Sequence, residues 1–299
     1  FFLASTIEQI EFLSPITTIC DYAFNRCSSL KQIKLPSSLT CICVGSFSQC
    51  KNLEKISIPA SVTEIGDHSF HKCQSLKSIE IPPSSVMKRI GNYAFDHCCS
   101  LVDIELPSSL IDLGFGIFNN CTELKKISIP PLITRIKKRS FGHCLNLLQV
   151  AIPPSVTVIE EFAFECCFNL LQITLPSTLK EIRTLAFTNC PKLKIHDFSS
   201  LTNLTHIGSL AFHYTGIEEI NDYPPQFNKT GKRIFSNCDS LEKLQLPLTV
   251  TEIGTGSFES CKKLVKLKIP TSVTIIGKHS FRHCSSLEEI EIPSSVTRI

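Results

Sequence analysis

Sixteen cysteines and nine histidines in a chain of 299 residues are residue types that could build a metal centre, a disulfide framework or an activated thiol. Eleven of the cysteines hold one place, three residues after a phenylalanine: Cys27, Cys50, Cys73, Cys98, Cys121, Cys144, Cys167, Cys190, Cys238, Cys261 and Cys284. Ala4 and Thr215 fill that place in two further copies. These substitutes are small and bind no metal, so the place selects for size, and free cysteine behaves as a small buried hydrophobe. Equivalent side chains on stacked strands lie about 4.8 Å apart and point the same way. A disulfide needs Cβ atoms about 3.8 Å apart and converging. Zinc needs ligands around one point, and no C-x-x-C pair is present. A column of packed free thiols is expected, with some disulfides or a metal left as the alternatives.

The other five thiols differ. Cys20 and Cys43 take a place usually held by glycine, and Cys41, Cys99 and Cys166 replace polar residues and are expected to be exposed. Three His-Cys dipeptides, at 97–98, 143–144 and 283–284, have the residue types of a base and a nucleophile. Adjacent residues point in different directions, however, and an inward cysteine forms no dyad with its neighbour. His97 and His143 fall two repeats apart, roughly 10 Å by strand spacing, too far to share one ion. There is no glycine-rich phosphate loop, G-x-S-x-G elbow or H-E-x-x-H. Glu80 and Glu105 suit a solvated charged stripe better than an acid pair. No catalytic residue, cofactor or metal site is expected. Asn120, Asn203 and Asn228 open N-x-T sequons that permit glycosylation in a secretory compartment.

What positions these residues is a repeat. Phe1, Phe24, Phe47, Phe70, Phe95, Phe118, Phe141, Phe164, Phe187, Phe212, Phe235, Phe258 and Phe281 form a series of thirteen, spaced by 23 residues except for two intervals of 25. The phase holds from end to end, so a single array over 1–299 without a linker is expected. Leu53 to Ile58 reads L-x-x-I-x-I and alternates as a half-buried strand should. Pro59 cannot donate to a ladder and should end it. Val62 to Ile65 is expected as a second short strand, and Phe70 to Cys73 as a helical turn. One unit of this size cannot bury its own apolar face, so neighbouring units must share a continuous core.

Composition agrees with a folded, non-membrane array. Apolar residues are 42% and charged residues 19%, with a net charge of +3. No basic stripe marks a nucleic-acid surface. No run of about 18 apolar residues reads as a membrane span, and no secretory leader is recognisable.

The stretches "IPASVTEIGDHSFHKCQSLKSIEIP" at 58–82 and "IPTSVTIIGKHSFRHCSSLEEIEIP" at 269–293 resemble the BspA-like (type 5) leucine-rich repeats, also called the treponemal or Trichomonas surface-antigen type. The resemblance covers essentially the whole chain. It implies an α/β leucine-rich-repeat solenoid of about thirteen repeats, a curved right-handed horseshoe with parallel strands on one side and short strands and helical turns on the other. It also implies a cell-surface or secreted setting, an association with adhesion, and no catalytic residues. Where leucine-rich repeats usually carry asparagine, this chain has Ser38, Ser61, Ser109, Ser155, Thr178, Thr249, Ser272 and Ser295. A hydroxyl there is expected to make the same local backbone bond.

Outward residues on the strands are mostly polar or charged. "CLNLLQVAI" at 144–152 and "CFNLLQITL" at 167–175 lose that charge and place Leu145, Leu148, Phe168 and Leu171 at mainly polar positions. Stacked one repeat apart, the four would make one apolar patch, a candidate partner site, with repeat drift or packing against the next turn as the alternatives. The stretch 191–235 is irregular and holds Tyr214, Tyr223 and "YPPQF" at 223–227. Both ends break off within a repeat, which suggests a piece of a longer array. The expected function is a non-enzymatic interaction or adhesion module binding a protein or glycan; the alternative is a cytoplasmic, intracellular scaffold.

Overall fold

The computed structural model describes residues 5–195, 198–221 and 226–299. They form two compact units, 1–155 and 156–299, and each is a stack of coils held by parallel strands.

In the first unit the L-x-x-I-x-I segments become three-residue strands. Gln32–Lys34, Lys55–Ser57 and Ser78–Glu80 pair in parallel with Ile33, Ile56 and Ile79 in register, and Lys126–Ser128 pairs with Gln149–Ala151 in the same way. Each central residue is buried while its neighbours face out, as a period of two requires. A second sheet joins the two-residue strands Thr18–Ile19, Cys41–Ile42, Glu64–Ile65, Arg89–Ile90 and Asp112–Leu113. Between the two strands of a coil Pro59 turns the chain, its carbonyl accepting the Val62 N–H at 3.1 Å.

The second unit repeats this plan. Glu219–Ile220, Lys243–Gln245, Lys266–Lys268 and Glu289–Glu291 form one parallel sheet. Val158–Ile159, Glu181–Ile182 and His206–Ile207 form another, and Glu252–Ile253 pairs with Ile275–Ile276.

Within each core, among buried leucines and isoleucines, runs a column of phenylalanine rings. From Phe24 through Phe47, Phe70, Phe95, Phe118 and Phe141, stacked centroids lie 5.3 to 5.7 Å apart. From Phe164 to Phe281 the spacing is 5.1 to 5.8 Å.

Two expectations are corrected. There is no helix among the described residues, so the architecture is an all-β solenoid and not an α/β one. The reason lies in the Phe70 segment. His68, Phe70 and Lys72 send their N–H groups into the following coil, to the carbonyls of Asn92, Ala94 and Asp96, each at 2.8 Å. The N–H groups of His71 and Cys73 instead turn back three residues, to His68 and Phe70. A helix needs every N–H to point back along its own turn. Here alternate ones are drawn outward, with His68 (φ 56°) and Lys72 (φ 60°) in the left-handed region.

The second correction concerns the hydroxyls. The six serines bond across coils and not locally. Ser38, Ser61, Ser109 and Ser155 donate across the coil interval to the carbonyls of Ile16, Leu39, Met87 and Ile133 at 2.6 to 2.8 Å. Ser272 and Ser295 do the same with Val250 and Val273. The hydroxyl ladder therefore fastens coil to coil.

Candidate functional site

The cysteine column lies directly behind the phenylalanines. Ten of its eleven members are buried, and Cys284, in the last coil, is half-buried. Each thiol from Cys50 to Cys144 donates to the carbonyl of the phenylalanine one coil earlier, at 3.1 to 3.2 Å. Cys190, Cys238, Cys261 and Cys284 follow the same rule. At the one described exception, Thr215 Oγ1 donates to the Phe212 carbonyl and sits 3.3 Å from Cys238 Sγ. Burial pushes Cys50 and Cys238 away from the reactive thiolate, to about 12 and about 11. All sixteen cysteines are free. In the dipeptide 97–98, Cys98 Sγ goes to the Phe70 carbonyl at 3.2 Å while His97 Nδ1 lies 2.9 Å from Asp96 Oδ1, so the two form no dyad.

Outside the column, Cys20 is exposed. Cys41, Cys99 and Cys166, expected in solvent, are only half-covered, as is Cys43. Cys41 Sγ and Cys43 Sγ approach to 3.6 Å. This proximity follows from C-x-C alternation across a turn out of a two-residue strand.

The outward residue just before each strand forms a column of its own. In the first unit Lys31, Glu54 and Lys77 are joined by backbone hydrogen bonds from one coil to the next, as are Val102, Lys125 and Leu148. Charges of opposite sign pair along it: Lys31 lies 3.9 Å from Glu8, and Lys77 lies 3.0 Å from Glu54. Leu148 brings an apolar side chain, 44% exposed, to that column, with Leu145 half-buried in the same coil. In the second unit Leu171 is 47% exposed and Phe168 44%. The Lys194 N–H donates to the Leu171 carbonyl, and Lys194 Nζ pairs with Glu218 at 2.7 Å. The four apolar residues named from sequence thus fall two and two on the two units.

The remaining named residues are dispersed. Glu80 and Glu105 are exposed. Asn120 is half-buried with φ 58°. Asn203 and Asn228 are exposed, and the Asn203 side chain donates to the Ser177 carbonyl at 2.9 Å. Tyr214 is 43% exposed, while Tyr223, Pro224 and Pro225 lie outside the described residues.

One cluster escaped the sequence reading. The residue after each core phenylalanine forms a sheltered polar row that includes Ser48, His71, Asp96 and Asn119. Asp96 is buried and receives the Asn119 side-chain N–H at 2.9 Å. His71 Nδ1 approaches its other oxygen at 2.9 Å, opposite His97. Although burial alone would raise it, these neighbours hold the Asp96 carboxyl below its ordinary value. The available signal was the column itself: His71 and Asp96 share one place in successive repeats, and His97 follows immediately.

A family model described as a BspA type leucine-rich repeat region matches residues 1–122, 84–194, 112–239 and 192–299. Among solved structures, a leucine-rich repeat protein from Bacteroides ovatus is 29% identical, with 98% of this chain and 85% of that one covered at a TM-score of 0.69. A leucine-rich cell surface protein from Faecalibacterium prausnitzii is 26% identical, with coverages of 92% and 89% and a TM-score of 0.51. No match is found among curated proteins.

Proposed function

Since the chain belongs to the BspA-type leucine-rich-repeat family, we propose that it is a non-enzymatic interaction module that holds a protein or glycan partner against the outward face of its strands. The observation that carries this reading is the change at Leu148 and Leu171. There an outward column that bears paired charges at Glu8–Lys31, Glu54–Lys77 and Lys194–Glu218 presents large exposed apolar side chains instead, more exposed than the smaller Val102 and Val265 of the same column. Desolvating such residues favours association, whereas the charges around them are already solvated. Leu145 and Phe168 add contact surface, each within its own unit. A cell-surface setting draws support from the F. prausnitzii neighbour, which is itself described as a cell surface protein. No helix among the described residues is long and apolar enough to cross a membrane.

The test is a panel of immobilised proteins and glycans probed with the purified chain. Saturable binding to at least one member is expected, and a uniformly blank panel would remove the proposal. The sixteen free thiols favour a second reading, an intracellular scaffold, because oxidising compartments tend to pair cysteines. Locating the native protein by cell fractionation separates the two settings.

A further inference from the structure

We propose that His71, Asp96 and His97 form a zinc-binding site built across two adjacent coils of the first unit. One ligand atom from each residue falls within 4.8 Å of the other two. His71 Nδ1 and His97 Nδ1 flank the two oxygens of Asp96, each at 2.9 Å. In a tetrahedral centre with bonds of about 2.0–2.1 Å, neighbouring ligand atoms stand about 3.3 Å apart. The two Nδ1–carboxylate distances of 2.9 Å and the 4.8 Å limit on the whole set bracket that spacing, so side-chain rotation without backbone movement brings the three ligand atoms around one ion.

The set suits the ion in kind as well as in spacing. Two imidazoles and one carboxylate are the mixed donors that Zn²⁺ takes, leaving a fourth position for water or a partner's ligand. The side chains of His71 and His97 are 21% and 38% exposed, against 8% for Asp96, so the site opens outward from a buried carboxylate. Asn119 donates to Asp96 and fixes its plane, as outer hydrogen bonds commonly do for ligating carboxylates.

A second observation concerns His71. Its buried Nδ1 faces the Asp96 carboxylate at 2.9 Å, but in an alignment too poor for a full hydrogen bond. Imperfect bonding of a buried polar atom is unfavourable, and a metal ion between the rings would engage it fully. On binding, each imidazole keeps its one proton on Nε2 and offers the Nδ1 lone pair.

The backbone holds the ligands in place beforehand. The Lys72 N–H donates to the Asp96 carbonyl at 2.8 Å and the His97 N–H to that of Asn119 at 2.9 Å. The ring centroids of His71 and His97 lie 5.9 Å apart, nearly perpendicular.

The competing account is a purely structural His–Asp–His array, and free cysteines elsewhere could bind zinc on their own. The experiment uses the whole chain, reduced and metal-free, with Co²⁺ as the spectroscopic probe and Zn²⁺ titrated by calorimetry. Wild type should bind one Zn²⁺ more than H71Q/H97Q. Its Co²⁺ complex should show d–d absorption without thiolate-to-metal charge transfer at that equivalent. N119A, which spares every ligand, should weaken the site by about tenfold or more. Circular dichroism shows that each variant is folded. Equal stoichiometry and affinity in wild type and folded H71Q/H97Q, or a Co²⁺ spectrum of thiolate character alone, would overturn the proposal. If H71Q/H97Q does not fold, unchanged affinity in N119A together with a purely thiolate spectrum overturns it as well.

Discussion

The Cys73 thiol donates to the Phe47 carbonyl at 3.1 Å, bridging two coils. That carbonyl also accepts the Cys50 N–H at 3.2 Å, so the thiol supplies a second bond where a methyl group would supply none. Cys73→Ala removes this bond and leaves a small void, with an expected loss of about 1.5–2.5 kcal/mol. Cys73→Thr should cost less, because Thr215 shows that a hydroxyl in this place finds the carbonyl three residues back. Urea unfolding midpoints of the two variants check the order.

Alkaline pH should destabilise the fold. The neutral thiol is favoured in the folded state, where burial raises Cys50 to about 12 and Cys238 to about 11 from an ordinary value of 9.0. Their contribution is therefore complete below pH 9 and is lost as pH rises towards 11–12, at about 1.4 kcal/mol per pH unit for each such thiol. Denaturant unfolding at pH 8 and pH 10 measures the slope, which should be shallower in Cys50→Ala.

Thiol labelling should divide the cysteines by place. Cys20 reacts first, the five half-buried thiols follow more slowly, and the ten buried ones stay silent until the chain unfolds. Mass spectrometry of protein labelled at successive times reads this order directly.

Gly45 is held by its neighbour as much as by its backbone. It has φ +59°, and a Cβ there would come 2.4 Å from the Tyr22 ring one coil earlier. Gly116 meets Tyr93 in the same way, at 2.3 Å. Twenty-one non-glycine residues among the described ones adopt positive φ, so the conformation alone does not demand glycine. Gly45→Ala should cost about 2–3 kcal/mol in the wild type and about 1–2 kcal/mol in a Tyr22→Ala background, where only the left-handed term remains. A double-mutant cycle on unfolding midpoints gives the difference.

The repeat was legible because its signals are local and recur. The phenylalanine spacing, L-x-x-I-x-I and the proline after it announce coils, short strands and corners without reference to distant residues. Two features were not legible. Phe70 to Cys73 carries no helix breaker, and what prevents a helix is the pull of the next coil on the N–H groups of His68, Phe70 and Lys72, a long-range effect. The His71–Asp96–His97 cluster was missed for a related reason. Adjacency along the chain sets His97 beside Cys98, whereas the side-chain geometry joins His97 to Asp96 and, from the preceding coil, His71. The Ser61 hydroxyl likewise found its acceptor in the preceding coil, at Leu39.

The most direct test of the interaction-module account is to carry wild type, Leu148→Glu and Leu171→Glu through the same protein and glycan panel, beside their unfolding midpoints. The account expects saturable binding by wild type that falls at least tenfold in the variants, with midpoints unchanged because both side chains are about half exposed. Equal binding by wild type and both glutamate variants would contradict it.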